Sequence, residues 1–241
     1  MAVAAAVLAA AEHQEIGKCH KIKIEFKMSD PAEKFLTAAE RLQIEARIAE
    51  AEKRTSGEVV VKVVSSSYHY PLASMLGSSL LSIILGIVVA LVANNESMWF
   101  FLAAFSISFI VLHELFKRLH LLRRFFVTPS DMKEEVEEAA IHSFYRRNIN
   151  NTVDHTGILI YISLFEHKVR VVADRGINEK VAQDVWQEIV NIIVNGIHAK
   201  AQARAIADAV DRCGEILSTY FPVKASDRNE LRNEVIIGRG K

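Results

Sequence analysis

At 241 residues, with 29 Lys plus Arg against 29 Asp plus Glu and a mean hydropathy of +0.17, the chain has room for one compact domain and two membrane helices. The balanced charge gives no general attraction to nucleic acid. Two cysteines, Cys19 and Cys213, are too few and too scattered for a disulfide framework or a zinc site.

Met1 to Ala11 is rich in Ala and Val but has no basic leading segment, and it is too short to span a bilayer. Met28 precedes Ser29-Asp30-Pro31, a helix start, so residues 1–27 are read as a non-structural N-terminal extension without a role. From Ser29-Asp30-Pro31 a helix is predicted to run to about Arg54, with Phe35, Ala39, Leu42, Ala46 and Ala49 at helical spacing. Thr55-Ser56-Gly57 ends it. Glu58–Val64 then reads as a β-branched strand buried on at least one face.

Two apolar stretches follow, Leu72 to Ala93 and Met98 to Phe116, joined by Asn94-Asn95-Glu96-Ser97. Each is long enough to cross a hydrocarbon core of about 30 Å, and the first holds no charged side chain. Trp99, Phe100 and Phe101 sit where aromatic rings suit the headgroup boundary. Lys53, Arg54 and Lys62 precede the first stretch and Lys117, Arg118, Arg123 and Arg124 end or follow the second, while the turn has neither Lys nor Arg. The positive-inside rule therefore predicts a multi-pass inner-membrane protein with both termini cytoplasmic. Ser74, Ser78, Ser79, Ser82, Gly77 and Gly86 suit close helix packing. His113 and Glu114 raise a proton-handling alternative, but their place beside the basic cluster favours an anchor over a conduit.

Thr128-Pro129-Ser130-Asp131 starts a helix whose apolar face is Met132, Val136, Ala139, Ala140 and Phe144. Asn148–His155 reads as a polar loop. Gly157–Ser163 and Lys168–Ala173 read as an antiparallel pair around Leu164–His167. Helices are predicted over about Asn178–Asn195 and Ala199–Tyr220, the second stopped by Phe221-Pro222. The expected organisation is thus 28–64 and 128–222 as two parts of one domain, 72–116 as an inserted hairpin and 223–241 as a polar tail. Its fold class is α/β, a small mixed sheet sandwiched by helices, with the hairpin placed after the first strand.

Thr55-Ser56-Gly57-Glu58-Val59-Val60-Val61, Thr156-Gly157-Ile158-Leu159-Ile160-Tyr161-Ile162-Ser163 and Val169-Arg170-Val171-Val172-Ala173-Asp174-Arg175-Gly176-Ile177 together resemble the TPM domain family. That family is named for a thylakoid lumen protein, a photosystem II repair protein and a nematode receptor modulator. The likeness covers residues 36–222 without the hairpin and is greatest to a short bacterial membrane branch. Cys213-Gly214-Glu215-Ile216-Leu217 and Phe221-Pro222 fit the end of that branch's last helix. The resemblance implies an α/β/α sandwich and either of two activities: phosphatase action with calcium or magnesium, or assembly and repair of membrane complexes. Arg232 stands where relatives tend to have Pro.

A divalent cation needs several converging oxygens; Asp154, Asp174 and Asp184 are the candidate ligands, with Asn150 and Asn151 able to add more. His155 is the best-placed acid–base candidate, and Arg170 and Arg175 are available to clamp a phosphate. The chain lacks a phosphate-cradling Gly-rich loop and a nucleophile elbow, and His142, His155, His167 and His198 show no ligand spacing. The preferred expectation is a membrane-anchored binding, assembly or maintenance factor for membrane proteins. Its partners would be the lipid bilayer and another membrane protein or a second copy, with no nucleic acid. The alternative is a divalent-metal-dependent phosphomonoesterase.

Overall fold

In a computed structural model of the chain, residues 30–224, 229–238 and 240 are described, so the extension read over residues 1–27 lies outside the described residues. Glu58–Val64 (β1), Gly157–Ser163 (β2), Lys168–Ala173 (β3) and Ile236–Gly238 (β4) form one sheet in the order β3-β2-β1-β4. β1 and β2 run parallel in register from Glu58 opposite Gly157 to Val64 opposite Ser163, and β3 returns antiparallel along β2. Every residue of β1 and β2 is buried, as near-continuous Val and Ile runs require of parallel strands covered on both faces.

The helices are Pro31–Phe35 (α1), Ala38–Glu52 (α2), Pro71–Val92 (α3), Met98–Arg118 (α4), His120–Arg124 (α5), Pro129–Arg146 (α6), Arg175–Asn178 (α7), Gln183–His198 (α8) and Gln202–Tyr220 (α9). Strand alternation divides the core. Val59, Val61, Val63, Ile158, Ile160 and Ile162 pack with α2, α8 and α9 on one face. Val60, Val64, Leu159 and Tyr161 pack with Val136, Ala139, Ala140 and Phe144 of α6 on the other. The predicted mixed sheet between helical layers is the observed one.

Three boundaries differ from expectation. The helix read over 31–54 is two helices, because Leu36 is extended and Thr37 opens a new helix with a capping box to Glu40. The helix read from 178 begins at Gln183 and reaches His198, with one short turn, α7, before it. Residues 223–241, read as a polar tail, contribute β4, which pairs in parallel with β1 from Lys62 opposite Ile236 to Val64 opposite Gly238. That makes β1 a central strand.

α3 and α4 are each long and apolar enough to cross a membrane, and they pack as a hairpin. Small residues (Ala73, Ser74, Gly77, Ser78, Ser82 and Gly86) are buried along one side of α3, whereas Leu76, Leu80, Ile84 and Val88 are exposed. Phe101, Phe105, Phe109 and His113 stack successively along α4. His113 Nδ1 lies 3.4 Å from Ser78 Oγ of α3, while Glu114 pairs with Arg118 of its own helix at 3.1 Å. The two residues thus make separate contacts.

Candidate functional site

The sheet has two polar ends. The end farther along the chain path from the hairpin holds the starts of β1 and β2 and the end of β3. There Asp174 caps α7, its Oδ1 accepting from Arg175 N–H at 2.6 Å. Its Oδ2 is buried without a hydrogen bond, and His155 Nδ1 lies 3.4 Å from it. The same Nδ1 lies 3.1 Å from the carbonyl oxygen of Asn150. Both neighbours only accept, so Nδ1 is the ring nitrogen placed to donate, and the side chain is 52% exposed.

The backbone is built around this pair. His155 is held at φ 53°, a left-handed conformation uncommon for a residue with a Cβ. Gly176 permits the close approach, because a Cβ there would stand 2.7 Å from the His155 carbonyl oxygen and 2.8 Å from that of Asp154. The structure therefore joins two sequence candidates, His155 and Asp174, as a hydrogen-bond-capable acid–base pair.

The three predicted metal ligands do not share one site. Asp154 is bound by Lys224 Nζ at 2.6 Å, and Asp184 lies in the first turn of α8, where its Oδ1 faces Val185 N–H at 3.1 Å. Among the described residues, no group of three or more His, Cys, Asp or Glu is placed to hold a metal ion. The donor set does not fit a calcium or magnesium cage, which needs several converging oxygens. Arg170 pairs with Glu137 of α6 at 2.9 Å, and Arg175 pairs with Glu179, so both candidate phosphate clamps have carboxylate partners.

Beside the His155–Asp174 pair lies a carboxyl pair that the sequence reading missed. Glu58 Oε1 accepts from Glu230 N–H at 2.9 Å, while Glu52 Oε1 accepts from Val59 N–H at 3.0 Å and its other oxygen accepts from Asn233. Burial, then repulsion by Glu58, pushes Glu52 up to about 8, and burial raises Glu58 as well. The Glu230 carboxylate accepts in turn from Val153 N–H at 3.2 Å, linking this pair to the loop that carries Asp154 and His155.

At the opposite end, where β1 and β2 finish, Glu166 is 1% exposed and accepts from Ser67 N–H and Tyr70 O–H at 3.0 Å each, from Ser66 Oγ at 3.2 Å, and from Ser163 Oγ. Arg123 lies over the Phe165 ring and donates to the His69 carbonyl at 3.0 Å; Arg124 donates to the Phe165 carbonyl at 3.0 Å. These bonds join the strand before the hairpin, the segment after it and the β2–β3 turn. Glu166 had no sequence signal beyond its place in a turn. Lys62 had one, as the lone charge in a valine run. Its ammonium donates to Ser143 at 2.7 Å, and burial with Arg147 and Arg146 nearby lowers it to about 8.

Comparison with known proteins gives two matches. Residues 116–216 match the family model described as the TPM domain, a segment running from the end of α4 into α9. The chain is also similar to the NMR structure of the BA42 protein from the psychrophilic bacterium Bizionia argentinensis, with a TM-score of 0.54 and 22% identity over 85% of this chain and 96% of that one. At that identity the likeness concerns the fold. No curated protein matches.

Proposed function

From the premise that this chain carries a TPM domain, we propose that it is a membrane-anchored binding or assembly module for membrane proteins. The carrying observation is the Glu166 cluster, which fastens both ends of the apolar hairpin to the sheet. A domain so fixed presents one constant face relative to its hairpin, an arrangement suited to holding a partner. On this reading α3 and α4 span an inner membrane, both termini are cytoplasmic, and the partner is another membrane protein or a second copy.

A second reading, hydrolysis of a phosphate monoester, is favoured by the His155–Asp174 pair. The Asn150 carbonyl and the Asp174 carboxylate both face Nδ1, which leaves Nε2 as the atom that would take a proton from water or a hydroxyl. Among the described residues no three His, Cys, Asp or Glu side chains gather as metal ligands, so on this reading the His155–Asp174 pair carries the proton transfer. The test uses the purified full chain with a chromogenic phosphomonoester, with magnesium, with calcium and with chelator. The binding reading expects no release above background and no difference in His155→Asn, which retains a residue tolerant of the left-handed backbone. Turnover lost by 10²-fold or more, roughly the value of general acid–base catalysis, in His155→Asn and Asp174→Asn would establish the hydrolase instead.

A further inference from the structure

A cavity of about 290 Å³ lies between the β2–β3 turn and the C-terminal end of α8. Its apolar wall is Leu164, Val169, Val194 and Ile197. Three basic side chains, His167, Lys168 and His198, also line it. We propose that this cavity takes part of an acyl chain of an anionic phospholipid, with the lipid phosphate resting on Lys168, His167 and His198. The inference rests on the membrane-anchored reading above and adds to it a specific lipid.

Position is the first argument. The turn that forms one wall is bonded to the base of the hairpin: Leu164 N–H donates to Val64 and Phe165 N–H to Ser65, immediately before the segment that enters α3. Phe165 packs on Tyr70, the residue preceding α3, and Arg124 holds its carbonyl. With α3 and α4 in a bilayer, the cavity sits where lipid headgroups meet the domain.

Charge is the second argument. Lys168 has no ion pair among the described residues. His167 stands near both Arg124 and His198, and burial together with those two neighbours lowers its proton affinity. The acid nearby, Glu166, already accepts from four donors of the hairpin clasp. A lysine ammonium flanked by two imidazole N–H donors beside an apolar recess is complementary to an amphiphile with an anionic head. His198 lies in the last turn of α8. Volume is the third: the cavity is at the small end of ligand pockets, roughly 300–1,000 Å³, and accommodates a segment of one chain rather than a whole lipid.

The test has two arms on the full-length chain. Washing membranes with alkaline carbonate addresses anchoring: release of the chain would overturn the membrane reading, and with it this one. Native mass spectrometry of the detergent-purified chain, titrated with phosphatidylglycerol or phosphatidylcholine, addresses the pocket. One phosphatidylglycerol should be retained in preference to phosphatidylcholine, and Lys168→Gln should weaken it about fivefold, the worth of one basic group at a lipid surface. Val194→Trp, which fills the recess without touching a charge, should also weaken it. A membrane-retained chain that holds both lipids equally would overturn the proposal alone. So would phosphatidylglycerol retention unchanged in Val194→Trp, or its displacement by glycerol phosphate at equal concentration, since the acyl chain would then contribute nothing.

Discussion

Buried at the hairpin-distal end of the sheet, the Glu52 carboxyl holds its proton more tightly in the folded chain than in the unfolded one. Glu52 has an ordinary value of 4.5 when exposed and is pushed to about 8 in the folded chain, so the native state keeps a proton that the unfolded chain gives up. Its contribution to stability is full below about 4.5 and is lost as pH rises through about 8. Glu52→Gln should therefore flatten the fall in melting temperature across that interval, read by circular dichroism; an unchanged slope would assign the dependence elsewhere. Lys62 works in the other direction. Its folded value near 8 lies below the ordinary 10.5, so the cost of burying its charge is complete below 8 and is relieved as pH climbs towards 10.5. Lys62→Met should stabilise the chain at neutral pH and remove the rise in stability above pH 8.

Among the elements, the β2–β3 turn carries more than its length suggests. Removing the Glu166 carboxylate leaves Ser67 N–H and Tyr70 O–H without their acceptor in a dry interior. Breaking such a buried charged network costs about 3–5 kcal/mol. Glu166→Ala should lower stability by that order in a denaturant titration and raise protease sensitivity between Ser65 and Tyr70; intact protection there would refute the clasp. How far such elements could be read from sequence depended on their physics. β1 and β2 were legible because long Val and Ile runs are buried on both faces. Thr37-Ala38-Ala39-Glu40 shows the capping-box spacing, so the break in the first helix was available but was masked by continuous helical periodicity. β4 was not legible: three residues, Ile236, Ile237 and Gly238, gain strand character only from the edge that β1 offers. The His155–Asp174 contact depends on two loops meeting, which spacing along the chain does not encode.

At the scale of the whole molecule, the two ends of the sheet differ in charge among the described residues. Carboxyl groups of Glu52, Glu58, Asp154, Asp174 and Glu230 stand at one end of the sheet, with Lys224 on Asp154, while Arg123, Arg124 and Lys168 stand at the other, beside the hairpin and around the buried Glu166. On the membrane-anchored reading this polarity sets orientation as well as attachment, since basic groups favour the cytoplasmic leaflet. A cysteine placed at Asn95 should react with an impermeant maleimide in intact cells, and one at Asn233 should react only after permeabilisation. The reverse pattern would put the domain on the outer side.

β1 is synthesised before α3 and α4, yet both of its sheet partners, β2 and β4, are synthesised after them. The valine strand must therefore wait, unpaired, while the hairpin emerges from the ribosome and finds its place. The sheet is therefore closed last and from both sides of one strand: β1 waits at its centre until the chain beyond the hairpin supplies β2 on one edge and β4 on the other.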